Sequence, residues 1–512
     1  MSHLAAWPVF LPLITGFILI LAHMGGIRLQ RAISFLAVIG LLVLSAALIS
    51  ATSSDQYHIY LLGNWTAPFG IVLVLDRLSA LMVTVTSLLA VGSLWYAMTT
   101  DTDQKGAHFH ILFQLLLFGL NGAFLTGDVF NLFVFFEVLL LASYGLLLHG
   151  NGRLRTKAGL HYVVINLIGS TLFLFAVGAL YGILGTLNIA DMAAKIAVAP
   201  QEDLGVIAAA GLLLLVVFGV KAAMFPLYLW MPSAYANTSA PVAALFAIMT
   251  KVGIYSIIRI HGTIFGSEAG ELAYYYAPWV LGLGLITLLL AALGVMAARG
   301  LREQVAYLVL ASVATLLIGV GLMSPAALNA TLYYLIHSTL IAGAMFLLAD
   351  VILRGRGSYE DRFESGPAMP NAILIGSIFM VAAIAMTGMP PLSGFFGKVL
   401  ILSAALDDTW FAVITTVVLV SGLITILSMA RTGSLIFYKI LPEESVPASD
   451  RGEPLNRMAF IAVLGLLLAS PILVVFAQPI TAFTEATAHQ AFNSAAYINA
   501  VLSTPAVTEV NN

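Results

Sequence analysis

The chain has 512 residues, of which 61% are hydrophobic and only 9% are charged, and its mean hydropathy is +1.02. A soluble domain carries roughly a quarter charged residues, so this composition predicts an all-α polytopic membrane protein. The net charge of −3, with no basic tract, gives no indication of nucleic-acid binding. A chain without cysteine cannot form disulfides or cysteine-ligated metal or iron–sulfur sites. Since no His-rich metal spacing, phosphate-binding loop or nucleophile–base pair is present either, we expect no metal, no cofactor and no catalytic residues.

Apolar stretches of about 20 residues between short polar turns predict membrane-spanning helices. About 14 spans follow, near 4–23, 31–50, 78–98, 109–125, 129–148, 159–184, 205–229, 239–261, 274–298, 304–322, 327–352, 371–407 (interrupted), 410–437 and 456–478. Residues 58–76 alternate and contain β-branched residues, which predicts a hairpin outside the membrane. The polar segment after Ala477 predicts a poorly ordered or surface-lying end.

The basic residues between the spans indicate the orientation of the chain. If the N-terminus is outside, fifteen lie on the inner side: Arg28, Arg31, Lys105, Arg153, Arg155, Lys157, Arg299, Arg302, Arg354, Arg356, Arg362, Arg431, Lys439, Arg451 and Arg457. Only Arg77, Lys195 and Arg259 lie on the other side. This distribution predicts a multi-pass membrane protein with both termini outside.

Two spans, the seventh and the twelfth, combine a lysine with prolines that interrupt the helix. They contain Lys221, Pro226 and Pro232, and Pro390, Pro391 and Lys398. Proline removes a backbone donor, and the freed carbonyls must be satisfied by protein or by a water-filled cavity. Pro226 and Pro391 are 165 residues apart, at corresponding positions of two five-helix units formed by spans 4–8 and 9–13, which suggests an inverted repeat.

This repeat divides the chain into four predicted segments. An N-terminal three-helix segment with the hairpin covers 1–108, and the first five-helix repeat covers 109–262. The second repeat covers 274–438, and the last helix with the C-terminal tail covers 456–512.

Five ionisable residues inside the spans are candidates for a chain of proton carriers, because charges at membrane depth are costly and commonly functional. Glu137 and Lys221 have opposite charges at comparable depth, which predicts an ion pair that opens and closes. Lys251, His337 and Lys398 follow in the order of the spans. The alternatives are a structural acid for Glu137, a lysine that reaches the interface for Lys251, and a hydrogen-bonded packing residue for His337.

Other polar residues give weaker signals. His149, His161 and His261 lie near span ends, where contacts with solvent or loops would satisfy them. Nothing in the pattern indicates bond-making chemistry, and interrupted helices with ionisable neighbours indicate ion transport, so we expect a transporter and not an enzyme.

The stretches around these residues resemble the antiporter-like membrane subunits shared by respiratory complex I and Mrp multisubunit cation/proton antiporters. The resemblance covers residues 60–440, and the pattern around Lys221 is highly specific. Residues 64–83 and 450–480 look most like the D-type subunits of the Mrp branch. The resemblance implies a 14-helix fold with two inverted repeats, Glu137 and Lys221 as the coupling pair, Lys251 as the central carrier, and His337 and Lys398 on the exit side. Complex I relatives usually carry a lysine where this chain has Ile341, so its second half has fewer ionisable groups.

Three functions are compatible with these features. The first is a membrane subunit of a Na⁺ or K⁺/H⁺ antiporter, inert without its partner subunits. The second is a proton-pumping subunit of a redox-driven enzyme such as a complex I-like NADH:quinone oxidoreductase. The third is a scaffold whose proton carriers no longer work.

Overall fold

The computed structural model describes residues 3–441, 447 and 452–505 and is helical almost throughout. Arg451, one of the predicted inner basic residues, lies outside the described residues, as do the ends of the first and last predicted segments. The N-terminal segment contains α1 (Trp7–Leu21), α2 (Ile27–Thr52) and α3 (Arg77–Thr99). Between α2 and α3, β1 (His58–Leu61) pairs antiparallel with β2 (Val72–Leu75), with His58 opposite Leu75. The predicted hairpin is therefore confirmed as a strand pair, and its position outside the membrane stays a prediction.

The next part of the chain begins with four helices, two of which are longer than 18 residues. They are α4 (Phe109–Leu125), α5 (Val129–Leu148), α6 (Arg153–Leu184) and the short α7 (Ile189–Ile196). The predicted seventh span, 205–229, covers α8 (Gln201–Lys221) and the non-helical interval that follows it. The second half-helix, α9 (Trp230–Asn237), lies beyond the predicted end of this span. The eighth span consists of α10 (Ala240–Phe246), α11 (Met249–Ser256), a π-helical turn (Ile257–His261) and α12 (Gly262–Ile264).

The following part has a similar plan, with three long helices and then an interrupted one. Its helices are α13 (Ala277–Ala297), α14 (Leu301–Gly321), α15 (Pro325–Gly355), α16 (Ala372–Thr387), α17 (Ser393–Ala404) and α18 (Phe411–Phe437). The interruption of the twelfth span falls between α16 and α17, as the sequence predicts. Both interrupted spans thus consist of two half-helices.

The C-terminal part is helical as far as Leu502. Of the two alternatives for this end, a poorly ordered segment is therefore wrong for residues 477–502, and a surface-lying one stays a prediction. The chain forms α19 (Arg457–Leu467), α20 (Ala469–Val475), α21 (Ala477–Phe492) and α22 (Ser494–Leu502). α21 packs against α15, and α22 packs against α7. These contacts bury Thr484, Ala488 and Tyr497, which explains why this polar segment is ordered.

Twelve helical stretches of the described residues are long and apolar enough to cross a membrane. The remaining two predicted spans correspond to shorter apolar helices, Phe109–Leu125 and the pair Ala372–Thr387 and Ser393–Ala404. The fold is that of a polytopic membrane protein, and the total of 14 spans stays a prediction. The most buried stretches are Ala240–Ile264, Leu301–Gly321 and Pro325–Gly355. These helices form the centre of the bundle, and they carry Lys251 and His337.

Candidate functional site

The first helix break is closed by a Schellman turn at the end of α8. The N–H of Met224 donates to the carbonyl of Gly219 at 2.8 Å, and the N–H of Ala223 donates to the carbonyl of Val220 at 3.1 Å. Ala223 occupies the left-handed position with φ of 55°, where glycine is usual because a Cβ costs roughly 1–2 kcal/mol there. Lys221 is the last residue of α8, so its ammonium group lies where the helix dipole favours a cation.

Side chains from two neighbouring elements make further hydrogen bonds to this break. The indole Nε1 of Trp230 donates to the carbonyl of Val220 at 3.1 Å, and the hydroxyl of Thr287 on α13 accepts from the N–H of Phe225 at 2.9 Å. Pro226 lies inside the break. Pro232 lies in the first turn of α9, where a missing N–H has no intrahelical partner to lose. Protein groups thus bind the carbonyls of Gly219 and Val220 at the end of α8.

Lys221 and Glu137 both bind α6. The Nζ of Lys221 donates to Oδ1 of Asn166 at 3.2 Å, and the hydroxyl of Ser170 donates to Oε1 of Glu137. Asn166 and Ser170 are four residues apart and therefore lie on one face of the helix. Lys221 also lies over the ring of Phe136, 5.7 Å from its centroid. Glu137 and Lys221 form no direct salt bridge within 4 Å in the described structure, so α6 links the expected pair through two neutral side chains, each of which binds one member.

Lys251 lies in α11, on the most buried stretch of the bundle. Its side chain is 0% exposed, and Nζ has no hydrogen-bond partner among the described residues. A small cavity lined by Lys221 and Asn166 also reaches Met249 and Val252, which lie close to Lys251 in sequence. An unpaired ammonium group at such a place costs several kcal/mol. This conformation therefore contradicts the alternative of a lysine that reaches the membrane interface.

The second helix break has the same turn as the first. The N–H of Met389 donates to the carbonyl of Ile384 at 3.0 Å, and the N–H of Gly388 donates to the carbonyl of Ala385 at 3.2 Å. Gly388 takes the left-handed position with φ of 78°. It corresponds to Ala223 of the first break, since the two positions are 165 residues apart, like the prolines. The two breaks therefore share both spacing and backbone geometry.

Lys398 reaches back from α17 to the end of α16. Its Nζ donates to the carbonyl of Thr387 at 2.8 Å, across the break that contains Pro390 and Pro391. A lysine ammonium group is thus placed at the C-terminal end of the first half-helix in both breaks. In the first break Lys221 belongs to that half-helix, and in the second the lysine comes from the half-helix that follows.

His337 joins the two halves of the second interrupted span. Its Nε2 donates to the carbonyl of Ala385 at the end of α16, at 3.1 Å, and its Nδ1 lies 2.7 Å from the hydroxyl of Ser393 at the start of α17. Ser393 in turn lies 2.8 Å from the hydroxyl of Ser470. A carbonyl only accepts, so Nε2 carries the hydrogen in the neutral ring. The imidazole is therefore both a packing residue and the end of a chain of hydroxyls.

Two features of the site differ from what the sequence indicates. His261 is completely buried, with Nε2 donating to the carbonyl of Gly211 at 3.0 Å, so the expectation of solvent or loop contacts is wrong for this histidine. The uncharged partners Asn166, Ser393 and Ser470 were missed. Such residues are common in membrane helices as packing groups, and only the position of Asn166 in an apolar span gives a signal.

Interrupted helices with lysines at the half-helix ends, in a bundle of apolar spans, define a class of polytopic membrane proteins built like ion transporters. The chain belongs to the NADH:quinone oxidoreductase/Mrp antiporter family of membrane proteins, whose family model matches residues 126–425. That range includes all five predicted proton carriers and both breaks.

Individual relatives match over nearly the full chain. The D-type subunit of a probable K⁺/H⁺ antiporter from Rhizobium meliloti (strain 1021) is 40% identical over 99% of this chain and 98% of its own length. The D-type subunit of a Na⁺/H⁺ antiporter from Alkalihalophilus pseudofirmus is 36% identical over 98% of this chain and 100% of its own length. The predicted resemblance to D-type subunits of the Mrp branch is confirmed.

Solved structures of related complexes have the same fold. A chain of the Mrp complex from Dietzia sp. DQ12-45-1b is 29% identical, with a TM-score of 0.86, and the match covers 98% of this chain and 99% of that one. A chain of respiratory complex I from Thermus thermophilus matches with a TM-score of 0.76 at 22% identity, over 95% and 99%. The second likeness is one of fold alone.

Proposed function

We propose that this chain is a membrane subunit of a multisubunit monovalent cation/proton antiporter in a bacterial cell membrane. The support is its membership of the family and the names of its relatives, which are D-type subunits of K⁺/H⁺ and Na⁺/H⁺ antiporters matched over nearly their whole length. Its partners are then the other subunits of that complex, the lipid bilayer, protons, and Na⁺ or K⁺. The basic face of the bundle would be cytoplasmic and both termini outside.

Within this function, Glu137, Lys221, Lys251, His337 and Lys398 form the proton relay, and the units 109–262 and 274–438 are its two halves. The mechanism is electrostatic. Where the effective dielectric constant is low, the charge on one ionisable group changes the protonation free energy of its neighbour by an amount on the scale of kcal/mol. A proton that arrives at one group therefore changes the affinity of the next group for its own proton. Asn166 and Ser170 keep Glu137 and Lys221 close without holding them in a closed salt bridge. Because the pair is bridged, Lys221 can pass its proton on without first breaking a direct ionic contact.

The observation that carries this proposal is the environment of Lys251. It lies between the two breaks in sequence and on the most buried helical stretch, without a hydrogen-bond partner among the described residues. A permanently charged structural lysine would need a partner there. A lysine that gains and loses a proton during turnover needs a hydrogen-bond or ionic partner only while it is charged.

The test is cation-dependent dissipation of a pH gradient in vesicles that contain the whole assembly. Glu137→Ala, Lys221→Ala and Lys251→Ala should each abolish antiport while the complex still assembles. Lys195→Ala is the matched control, because this side chain is 43% exposed and only pairs with Asp191, at 3.1 Å and one turn away. Wild-type antiport in the Lys251 variant would remove that residue from the mechanism, whereas reduced antiport in the control would show that any lysine loss is harmful.

The second candidate is a proton-pumping subunit of a redox-driven enzyme, which the shared fold with complex I supports. Purification of the intact complex and identification of its subunits distinguishes these two candidate functions. Small hydrophobic antiporter subunits as partners support the first function, and flavin or iron–sulfur subunits support the second. If all the buried lysines could be neutralised without a transport defect, the chain would be a scaffold.

A further inference from the structure

A cavity of about 510 Å³ lies where the end of α13 and the start of α14 meet the second half of α18. It is on the side of the bundle where most of the basic residues between the spans are predicted to lie, and two of them, Arg299 and Arg431, line it. None of the five proposed proton carriers is among its lining residues. The cavity therefore has no part in the proton relay proposed above.

The two arginines of this cavity are available to an anion. Neither guanidinium group forms an ion pair with another described residue, and two acids of the same region are engaged elsewhere. Asp361 pairs with Arg302 at 3.3 Å, and Oε2 of Glu303 accepts from the backbone N–H of Arg299 at 3.0 Å. A guanidinium group matches the geometry of a phosphate, to which it can donate two parallel hydrogen bonds. A cavity with two such groups is thus suited to a phosphate.

Apolar side chains line the cavity on the side of each arginine that faces the middle of the helix. On α18, Leu427 and Ile424 come four and seven residues before Arg431, which places them about 6 and 10.5 Å closer to the helix centre. On α13, Met296 comes three residues before Arg299. Met296 and Leu427 are exposed on the surface of the chain. A phospholipid has the same order, with its phosphate at the membrane surface and its acyl chains towards the centre of the bilayer.

The size of the cavity favours a lipid over a helix of another protein. The part of α18 that lines it extends from Ile424 to Leu435, a length of about 16.5 Å, which is close to the roughly 15 Å of hydrocarbon in one leaflet. A helix about 10 Å in diameter would occupy about 1,300 Å³ over that length, more than twice the volume of the cavity. An acyl chain is much thinner than a helix, and a free inorganic anion would not need the apolar side chains.

We propose that this cavity binds an anionic phospholipid from the leaflet on the basic side of the bundle. The phosphate lies between Arg299 and Arg431, and an acyl chain lies along Met296 and Leu427. Two basic residues near a bilayer surface favour a lipid of net negative charge over a zwitterionic lipid by roughly 30-fold. The site goes beyond the proposed antiporter function and does not depend on it.

Fluorescence quenching in the complete complex tests this site without measuring transport. The chain contains no cysteine, so Leu423→Cys introduces a single thiol into it for a bimane fluorophore. Leu423 is 58% exposed and lies one turn from Leu427, about 12 Å along the helix from Arg431. The complex is placed in phosphatidylcholine vesicles that contain increasing fractions of phosphatidylglycerol or phosphatidylcholine with a nitroxide on the acyl chain. The signal of the complex without the introduced cysteine is subtracted.

The relative quenching by the two nitroxide lipids gives the preference for the anionic lipid. We expect a preference of roughly 30-fold at Leu423→Cys and much less at Val43→Cys on α2, which is 67% exposed and reports ordinary lipid contact. Arg299→Ala and Arg431→Ala should each lower the preference about 5-fold, whereas Arg431→Lys keeps the charge and should retain most of it. Arg457→Ala is the matched control, because this exposed arginine of the same side does not line the cavity.

Four results would overturn the site. Equal quenching by the two lipids at Leu423→Cys would exclude a preference for anionic lipid, and an unchanged preference without both arginines would exclude their role. Quenching by neither lipid would mean that a partner subunit covers the cavity. Loss of the preference in excess inorganic phosphate, but not in chloride at the same ionic strength, would identify a site for free anions. All four results are independent of antiport, so the proposed function would stand or fall separately in the vesicle assay of the lysine variants.

Discussion

The bridge on α6 gives a sharp prediction about how Glu137 and Lys221 are coupled. Asn166→Leu removes the amide that accepts from the ammonium group of Lys221 at 3.2 Å and keeps a similar side-chain volume. A hydrogen bond to a charged group contributes about 1.5–3 kcal/mol. If that free energy is lost from the proton-transfer step, the rate falls roughly 10- to 150-fold.

The assay is cation-induced recovery of a fluorescent pH-gradient signal in inverted vesicles, normalised to the amount of assembled complex. Ser170→Ala removes the hydroxyl that donates to Glu137 and should reduce antiport less than Asn166→Leu, because water can replace a hydroxyl beside a half-buried carboxylate. Thr171→Val is the matched control, since its hydroxyl is exposed and bonds only to the carbonyl of Leu167. Wild-type antiport in Asn166→Leu, in a fully assembled complex, would refute the bridge as a functional element.

Two further changes have outcomes fixed by local geometry. Gly388→Ala places a Cβ on a residue with left-handed backbone, 3.0 Å from Cδ and Cε of Lys398. The variant should destabilise the complex by about 1–2 kcal/mol in thermal unfolding and should impair antiport in the vesicle assay. A variant that is unaffected in both measurements would mean that this turn can rearrange freely. Burial raises the pKa of Asp103, but hydrogen bonds from Arg31 and His110 outweigh burial and leave its pKa below the usual value. Asp103→Asn should therefore lower stability by about 1–2 kcal/mol at neutral pH. The difference from wild type should shrink as the pH falls below about 4, the ordinary carboxyl value, and disappear below the lowered pKa, where the native carboxylate is protonated. A difference that persists in acid would assign the effect to packing.

Hydropathy predicted the spans well because a helix that faces lipid must be apolar along its whole length. Hydropathy was least decisive for two spans. Phe109–Leu125 is a short helix, and the twelfth span is divided into two helices that are each shorter than a membrane-spanning helix. The breaks were predictable from proline together with a neighbouring buried lysine, since proline removes a backbone donor. Proline alone is not sufficient, because Pro12 lies inside α1 without ending it. The order of α21 and α22 was not predictable, because a polar segment with small residues folds only where a partner such as α15 covers it.

The sequence alone determined that this is a membrane protein with two interrupted spans, and that five ionisable groups lie within its apolar spans. These features depend on residue type and spacing, which the sequence contains directly. Only the tertiary structure decided which groups meet: Lys221 with Asn166, His337 with both sides of a break, and Lys398 with the end of α16. Which side chains meet in a helical bundle depends on how helices that are distant in sequence pack and rotate against one another. The sequence does not distinguish a hydroxyl or amide that binds a lysine from one that binds its own helix.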